Sequence, residues 1–151
     1  MIKILVIGSG AREHAIIKSL YKSSKKKTIY CLGTNNNPGI ADLCSELLVK
    51  NINDPEIVKS YAKEKKINFA IIGPENPLAN GIVDALLDIG IHSIGPKKEL
   101  AQIETSKSFT RNLLTTYKIP GTPKFKVFNT MNGVDDFLSV LGENYVIKYD
   151  G

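Results

Sequence analysis

Four times in its first hundred residues this chain runs through a short apolar stretch and stops at a glycine: 2–7 before Gly8, 28–32 before Gly33, 69–72 before Gly73 and 91–94 before Gly95. Runs of this length read as strands, and those at 2–7 and 69–72, rich in Ile, Val and Leu, as strands buried on both faces. Between the first two, residues 11–21 carry Ala15, Ile16, Leu20 and Tyr21 at the spacing of one helical face. A further short strand is predicted near 47–49. After it, Asn53 or Asp54 caps a helix that has Pro55 in its first turn and runs to Lys65. Residues 77–89 predict another helix, with Leu78, Ile82, Val83, Leu86 and Leu87 facing inward. Five strands alternating with helices predict an α/β fold, a doubly wound parallel sheet covered on both faces.

Residues 99–117 read as two helical stretches, continuous or bent near Thr105-Ser106, before Ile119-Pro120-Gly121-Thr122-Pro123 breaks the pattern. A strand at 124–128, a helix at 132–141 and a strand at 145–149 then look like the start of a different domain. With 151 residues the chain holds one core plus a small addition and no second full domain. Its 42% hydrophobic and 23% charged content is that of a folded globular protein.

The net charge of +5 raises the question of an anionic partner. The lysines, however, are scattered: Lys22 and Lys25, Lys26 and Lys27 in a turn, Lys63, Lys65 and Lys66 at a helix end, Lys97 and Lys98 after a Gly-Pro turn. Helix-end and solvated charges account for them, so no nucleic acid partner is expected. Cys31 and Cys44 have neither metal-ligand nor redox spacing and read as reduced buried thiols. The opening apolar run is too short for a signal segment or a membrane span, so no membrane partner and a cytoplasmic location are expected.

In open parallel sheets ligands bind beyond the carboxyl ends of the strands. The first such loop is Gly8-Ser9-Gly10-Ala11-Arg12-Glu13-His14, where glycines allow close approach and the following helix offers free N–H groups to an anion such as phosphate. Dinucleotide folds also begin with G-x-G. Here, though, Glu13 replaces the third glycine, and the second strand ends in Leu32-Gly33-Thr34 without the acid that would hold an adenosine ribose. A solvated first helical turn explains Arg12, Glu13 and His14 about as well as a ligand does. In Gly73-Pro74-Glu75-Asn76-Pro77-Leu78 two prolines stiffen the backbone around Glu75, which favours a ligand role for hydroxyls or an amine over simple capping. The turn 33–39 offers the amides of Asn35, Asn36 and Asn37, although such turns are common for purely local reasons.

Taken in order, these segments resemble one family. Residues 8–14 are similar to the G-x-G-G-R-E-H motif of phosphoribosylamine–glycine ligases, Asn37-Pro38-Gly39 to their N-x-G turn, and 73–84 to their G-P-E-x-P-L-x-x-G-I-x-D segment. Gly95-Pro96, 101–107, Ile119-Pro120 and 146–151 resemble later segments, so the likeness spans essentially the whole chain. Ala11 departs from the usual second glycine, which a negative φ would allow, and Tyr149 departs from the usual Ala.

The resemblance implies a Rossmann-like pre-ATP-grasp domain over 1–104, followed over 105–151 by the first elements of an ATP-grasp domain. It implies a ligase of purine synthesis in which ATP activates the carboxylate of glycine, and the acyl phosphate is attacked by the amine of 5-phosphoribosylamine. Substrate contacts would fall to Gly8, Gly10, Arg12, Glu13, His14, Asn37, Gly39, Glu75 and Pro77. Lys107 and Lys148 would contact ATP phosphates, and an inward Lys148 in a strand would need such an anion. Magnesium would accompany ATP, with its ligands and the catalytic groups beyond Gly151. The chain is thus expected to be a front-end fragment, inactive alone, whose partner is the remainder of its own ATP-grasp domain. An NAD(P)-binding Rossmann module and a non-catalytic phosphosugar-binding domain are the alternatives.

Overall fold

The computed structural model describes residues 1–150. They divide into two compact units, Met1–Ala101 and the part from Gln102 onward. In the first, the strands β1 (Ile2–Ile7), β2 (Lys27–Gly33), β3 (Glu46–Val49), β4 (Phe69–Ile72) and β5 (His92–Ile94) form one sheet in the order β3-β2-β1-β4-β5. Every pairing is parallel. The chain moves outward from β1 through β2 to β3, then returns to place β4 on the other side of β1. Strand order therefore reverses between β1 and β4, and the doubly wound fold is as the alternation of elements implied.

Period two along the strands sends alternate side chains to two core layers. Leu5, Ile7, Ala70 and Ile72 join residues of α3 (Pro55–Lys65) and α5 (Ile82–Leu87) on one face. Val6, Ile29 and Cys31 meet Ile17 of α1 (Ala11–Lys22) and Ile40 of α2 (Pro38–Ala41) on the other. The inward face of α1 differs from the one expected. Glu13 and Ile17 are buried while Ala15 and Tyr21 are exposed, because the register is set by Glu13 turning under the loops. For α3, Asp54 is the cap, accepting from the N–H of Glu56 at 2.9 Å and of Ile57 at 3.4 Å.

The helix expected over 77–89 is two helices, α4 (Glu75–Ala79) and α5. Gly81, at φ +79°, ends one and caps the next, which re-aims the chain so that Leu78 and Ile82 both reach the core. The 99–117 region bends as its second reading allowed. It comprises α6 (Lys98–Thr105) and α7 (Lys107–Thr116), with Ser106 capping α7 by accepting from the Phe109 N–H at 3.1 Å.

In the second unit the helix expected at 132–141 is α8 (Val134–Leu141). Phe137 of α8 packs on Phe128, ring centroids 5.9 Å apart. The strands expected at 124–128 and 145–149 do not form. An extended segment becomes a strand only by pairing its backbone groups. Neither segment has such a neighbour among the described residues, and Val127, Val146, Ile147 and Tyr149 are left exposed.

Candidate functional site

The reversal of strand order opens a crevice at the carboxyl ends of β1 and β4, because the chain leaves those two adjacent strands toward opposite sides. Helix α1 starts on one lip and α4 on the other. From the second residue of α1, Arg12 Nη2 reaches Glu75 Oε2 at 3.4 Å, and both side chains remain open to solvent. Glu75 is the first residue of α4, preceded by Pro74 and followed by the buried Pro77, so its backbone is fixed. A hydrogen bond from its own backbone N–H, together with Arg12, holds the Glu75 carboxyl below the usual carboxylate range. Two opposite charges from residues 63 apart thus face each other across the crevice.

Glu13 lies beneath this pair, only 3% exposed. Its Oε2 accepts from the Gly10 N–H at 2.7 Å, closing the first turn of α1 from below. Its Oε1 has no hydrogen-bond donor among the described residues, and Arg12 Nε stands 4.0 Å away. This side chain accounts for Gly73 and also crowds Gly8 and Gly10, which the sequence assigned to ligand approach. A β-carbon at Gly73 would sit 2.0 Å from Glu13 Oε1, one at Gly8 2.8 Å from its Cδ, and one at Gly10 2.9 Å from its Oε2. What comes close to the backbone here is Glu13.

The β2 loop joins the same edge through Ser9, which sequence reasoning passed over. Ser9 is buried. Its hydroxyl accepts from the N–H groups of Thr34 at 3.2 Å and Asn35 at 3.3 Å and donates to Asn35 Oδ1. Asn37 uses its amide locally, donating to the Ser9 carbonyl at 3.1 Å and accepting from the Ile40 N–H at 3.4 Å as the cap of α2. The His14 ring lies against Gly39, where a β-carbon would come within 2.6 Å of its Cε1. The one signal for Ser9 in the sequence was its place between Gly8, which follows β1, and Gly10, which caps α1.

The expected residues therefore form two groups on one edge. Gly8, Gly10, Arg12, Glu13 and Glu75 surround the crevice, while His14, Asn37 and Gly39 lie with Ser9 toward β2. Pro77 is buried in α4 and shapes the lip. Ala11 keeps a negative φ as the first residue of α1, so its methyl is accommodated.

In the second unit, Lys107 opens α7 and is exposed. Lys148 is exposed as well and not inward, because the strand that was to bury it does not form. Asp150 ties its segment to the start of α7. Its carboxylate accepts from the Ser108 N–H at 2.9 Å, from Ser106 Oγ at 3.2 Å and from Ser108 Oγ, and these bonds, Ser108 first, hold it below the usual carboxylate range. Lysines are the right donors for a phosphate. Among the described residues no cluster of three or more His, Cys, Asp or Glu side chains is placed to hold a metal ion. No described helix is long and apolar enough to cross a membrane.

A doubly wound parallel sheet with charged groups gathered at its switch point defines an α/β domain of the Rossmann-like class. Comparison with known proteins narrows this. The family model described as "Phosphoribosylglycinamide synthetase, N domain" matches residues 2–104, and the chain belongs to that family. A "Phosphoribosylamine--glycine ligase" of Methanosarcina barkeri is 44% identical over 141 residues, covering 93% of this chain and 33% of that protein. One from Methanocaldococcus jannaschii is 48% identical over 126 residues, 83% of this chain and 28% of its own length. The chain spans about a third of the length of the curated relatives it matches.

Among solved structures, phosphoribosylglycinamide synthetase from Anaerococcus prevotii superposes with a TM-score of 0.66 at 15% identity, covering 92% of this chain and 34% of that one. N5-carboxyaminoimidazole synthetase from Staphylococcus aureus, complexed with ADP, gives 0.71 at 16%, covering 93% and 36%. At such identities the likeness is one of fold.

Proposed function

We propose that this chain is the phosphosugar-binding front end of a phosphoribosylamine–glycine ligase. Residues 1–104 would form its first domain and 105–151 the beginning of its ATP-grasp domain. The observation that carries the reading is the Arg12–Glu75 pair across the switch-point crevice. A guanidinium is suited to a phosphate and a fixed carboxylate to ribose hydroxyls or an amine, and 5-phosphoribosylamine offers all three. The N-terminus of α1 adds its dipole on the phosphate side. His14 and Asn37, toward β2 on the same sheet edge, would bound the sugar, with the glycines and Pro77 shaping the loops.

The remaining chemistry of the proposed reaction belongs to the longer protein. ATP would activate glycine as an acyl phosphate, with Lys107 and Lys148 supplying positive charge to its phosphates. Magnesium would supply charge neutralisation at those oxygens, held by groups outside the described residues. The test is a steady-state assay of ADP formation by the chain continued to the length of its relatives, with ATP, glycine and phosphoribosylamine. Glu75→Gln is expected to raise the KM for phosphoribosylamine more than that for ATP. Equal effects on both, or no glycine-dependent ADP formation at all, would contradict the reading.

A further inference from the structure

Among the described residues Glu13 and Ser9 are the buried polar or charged ones, and Ser9 is fully hydrogen-bonded whereas Glu13 is not. If Glu13 served only to close the first turn of α1, one acceptor would suffice and its Oε2 already provides it. A second carboxylate oxygen buried without a donor is costly, and a neutral side chain of the same length would lower that cost. The nearest cation is Arg12, whose Nε edge faces Oε1 at 4.0 Å while its Nη2 faces Glu75 at 3.4 Å. A guanidinium is planar, so carboxylates on two of its edges fix its plane and leave the third edge open.

We infer that Glu13 is a positioning residue that acts through Arg12. Its Oε1 faces the Nε edge of Arg12 at 4.0 Å as an ion pair and stands the guanidinium across the crevice, so that an anion replacing Glu75 meets a cation already in place. The ligand side of this inference rests on the phosphosugar reading proposed above, and the positioning side does not. It gives the motif residue Glu13 a role without requiring it to touch substrate, which its burial beneath the loops opposes.

The chain holds two arginines, Arg12 and Arg111, so its arginine Nε–Hε spectrum has two cross-peaks. In the wild-type chain the ion pair with the buried Glu13 is expected to slow exchange of the Arg12 Hε with solvent on the order of ten-fold relative to free arginine. Glu13→Gln still accepts from the Gly10 N–H but presents an amide N–H₂ to Arg12. It should abolish that protection while leaving the Gly10 amide shift in place. Exchange at the free-arginine rate in the wild type, or protection unchanged in Glu13→Gln, would overturn the inference, and the first of these outcomes needs no variant to fold. Titration with ribose 5-phosphate supplies the second arm. Glu13→Gln and Arg12→Lys should each weaken binding on the order of ten-fold and the double variant no further. Additive losses would overturn the inference. Wild-type protection without any ribose 5-phosphate binding would sink the phosphosugar reading and leave the positioning role standing.

Discussion

Gly73→Ala isolates the space taken by Glu13. Gly73 does not have a positive φ, so alanine is conformationally allowed there, and by stiffening the unfolded chain it would by itself stabilise by about 0.4–1 kcal/mol. The added methyl, however, would lie 2.0 Å from Glu13 Oε1, 2.5 Å from Cδ and 2.6 Å from Cγ, well inside ordinary contact. Glu13 is buried and held by the Gly10 N–H, so it cannot swing away without breaking that bond. Overpacking costs about 1–3 kcal/mol, and a hydrogen bond to a charged group contributes about 1.5–3 kcal/mol. The net destabilisation expected is about 2–5 kcal/mol, read from urea unfolding. In the Glu13→Ala background the same substitution should cost at least about 1 kcal/mol less, since the obstructing atoms are gone. Gly90→Ala serves as a control: φ is +78° with nothing within 4 Å, so only the left-handed backbone penalises it, by about 1 kcal/mol. A neutral Gly73→Ala, or strict additivity with Glu13→Ala, would refute the account of why this loop keeps its glycine.

Removing the α3 cap by Asp54→Ala should lower stability by about 1 kcal/mol in urea titrations, and Asp54→Asn by a few tenths, because asparagine caps nearly as well. Burial pushes the Cys31 thiol up to about 12 and the Cys44 thiol to about 11. Thiolate is the reactive form, so both should react with a disulfide reagent at pH 8 on the order of a hundred-fold or more slowly than free cysteine, Cys44 first. Glu46 is bonded to Lys65 at 2.8 Å and to the Tyr61 hydroxyl at 3.1 Å, and these hold its carboxyl below the usual range, Lys65 foremost. A carboxyl lowered in the folded state stabilises above its unfolded value of about 4.3 and loses that contribution as pH falls through the folded value. Glu46→Gln should therefore lower Tm at pH 7, with the difference closing as pH falls below the unfolded value; a difference constant with pH would contradict this.

The sheet was legible because parallel strands show as short apolar runs, four of them cut by glycine, and all five strands stand near the expected runs; the edge strands β3 and β5 are nevertheless partly open to solvent, since each has only one neighbour. What sequence left open depended on partners. The break at Gly81 was hidden inside a continuous helical pattern, since its apolar residues serve two helices with one shared core face. The segments 124–128 and 145–149 have strand composition, yet a strand exists only against a neighbour, and composition does not say whether one is present. At the site, Arg12 and Glu75 were singled out separately, and only the switch-point topology shows that they meet. Glu13 and the glycines were read as independent ligand contacts. Their mutual packing follows from a helix start folding under two loops distant in sequence, which no local pattern encodes.

Titrating the uniformly ¹⁵N-labelled chain with ribose 5-phosphate and mapping amide shifts tests the proposed site most directly. Saturable shifts concentrated at 8–14, 35–39 and 73–76, lost in Arg12→Ala and Glu75→Gln and not produced by NADH, are the expected result. Shifts scattered over the lysines, or none within these loops at millimolar ligand, would contradict it.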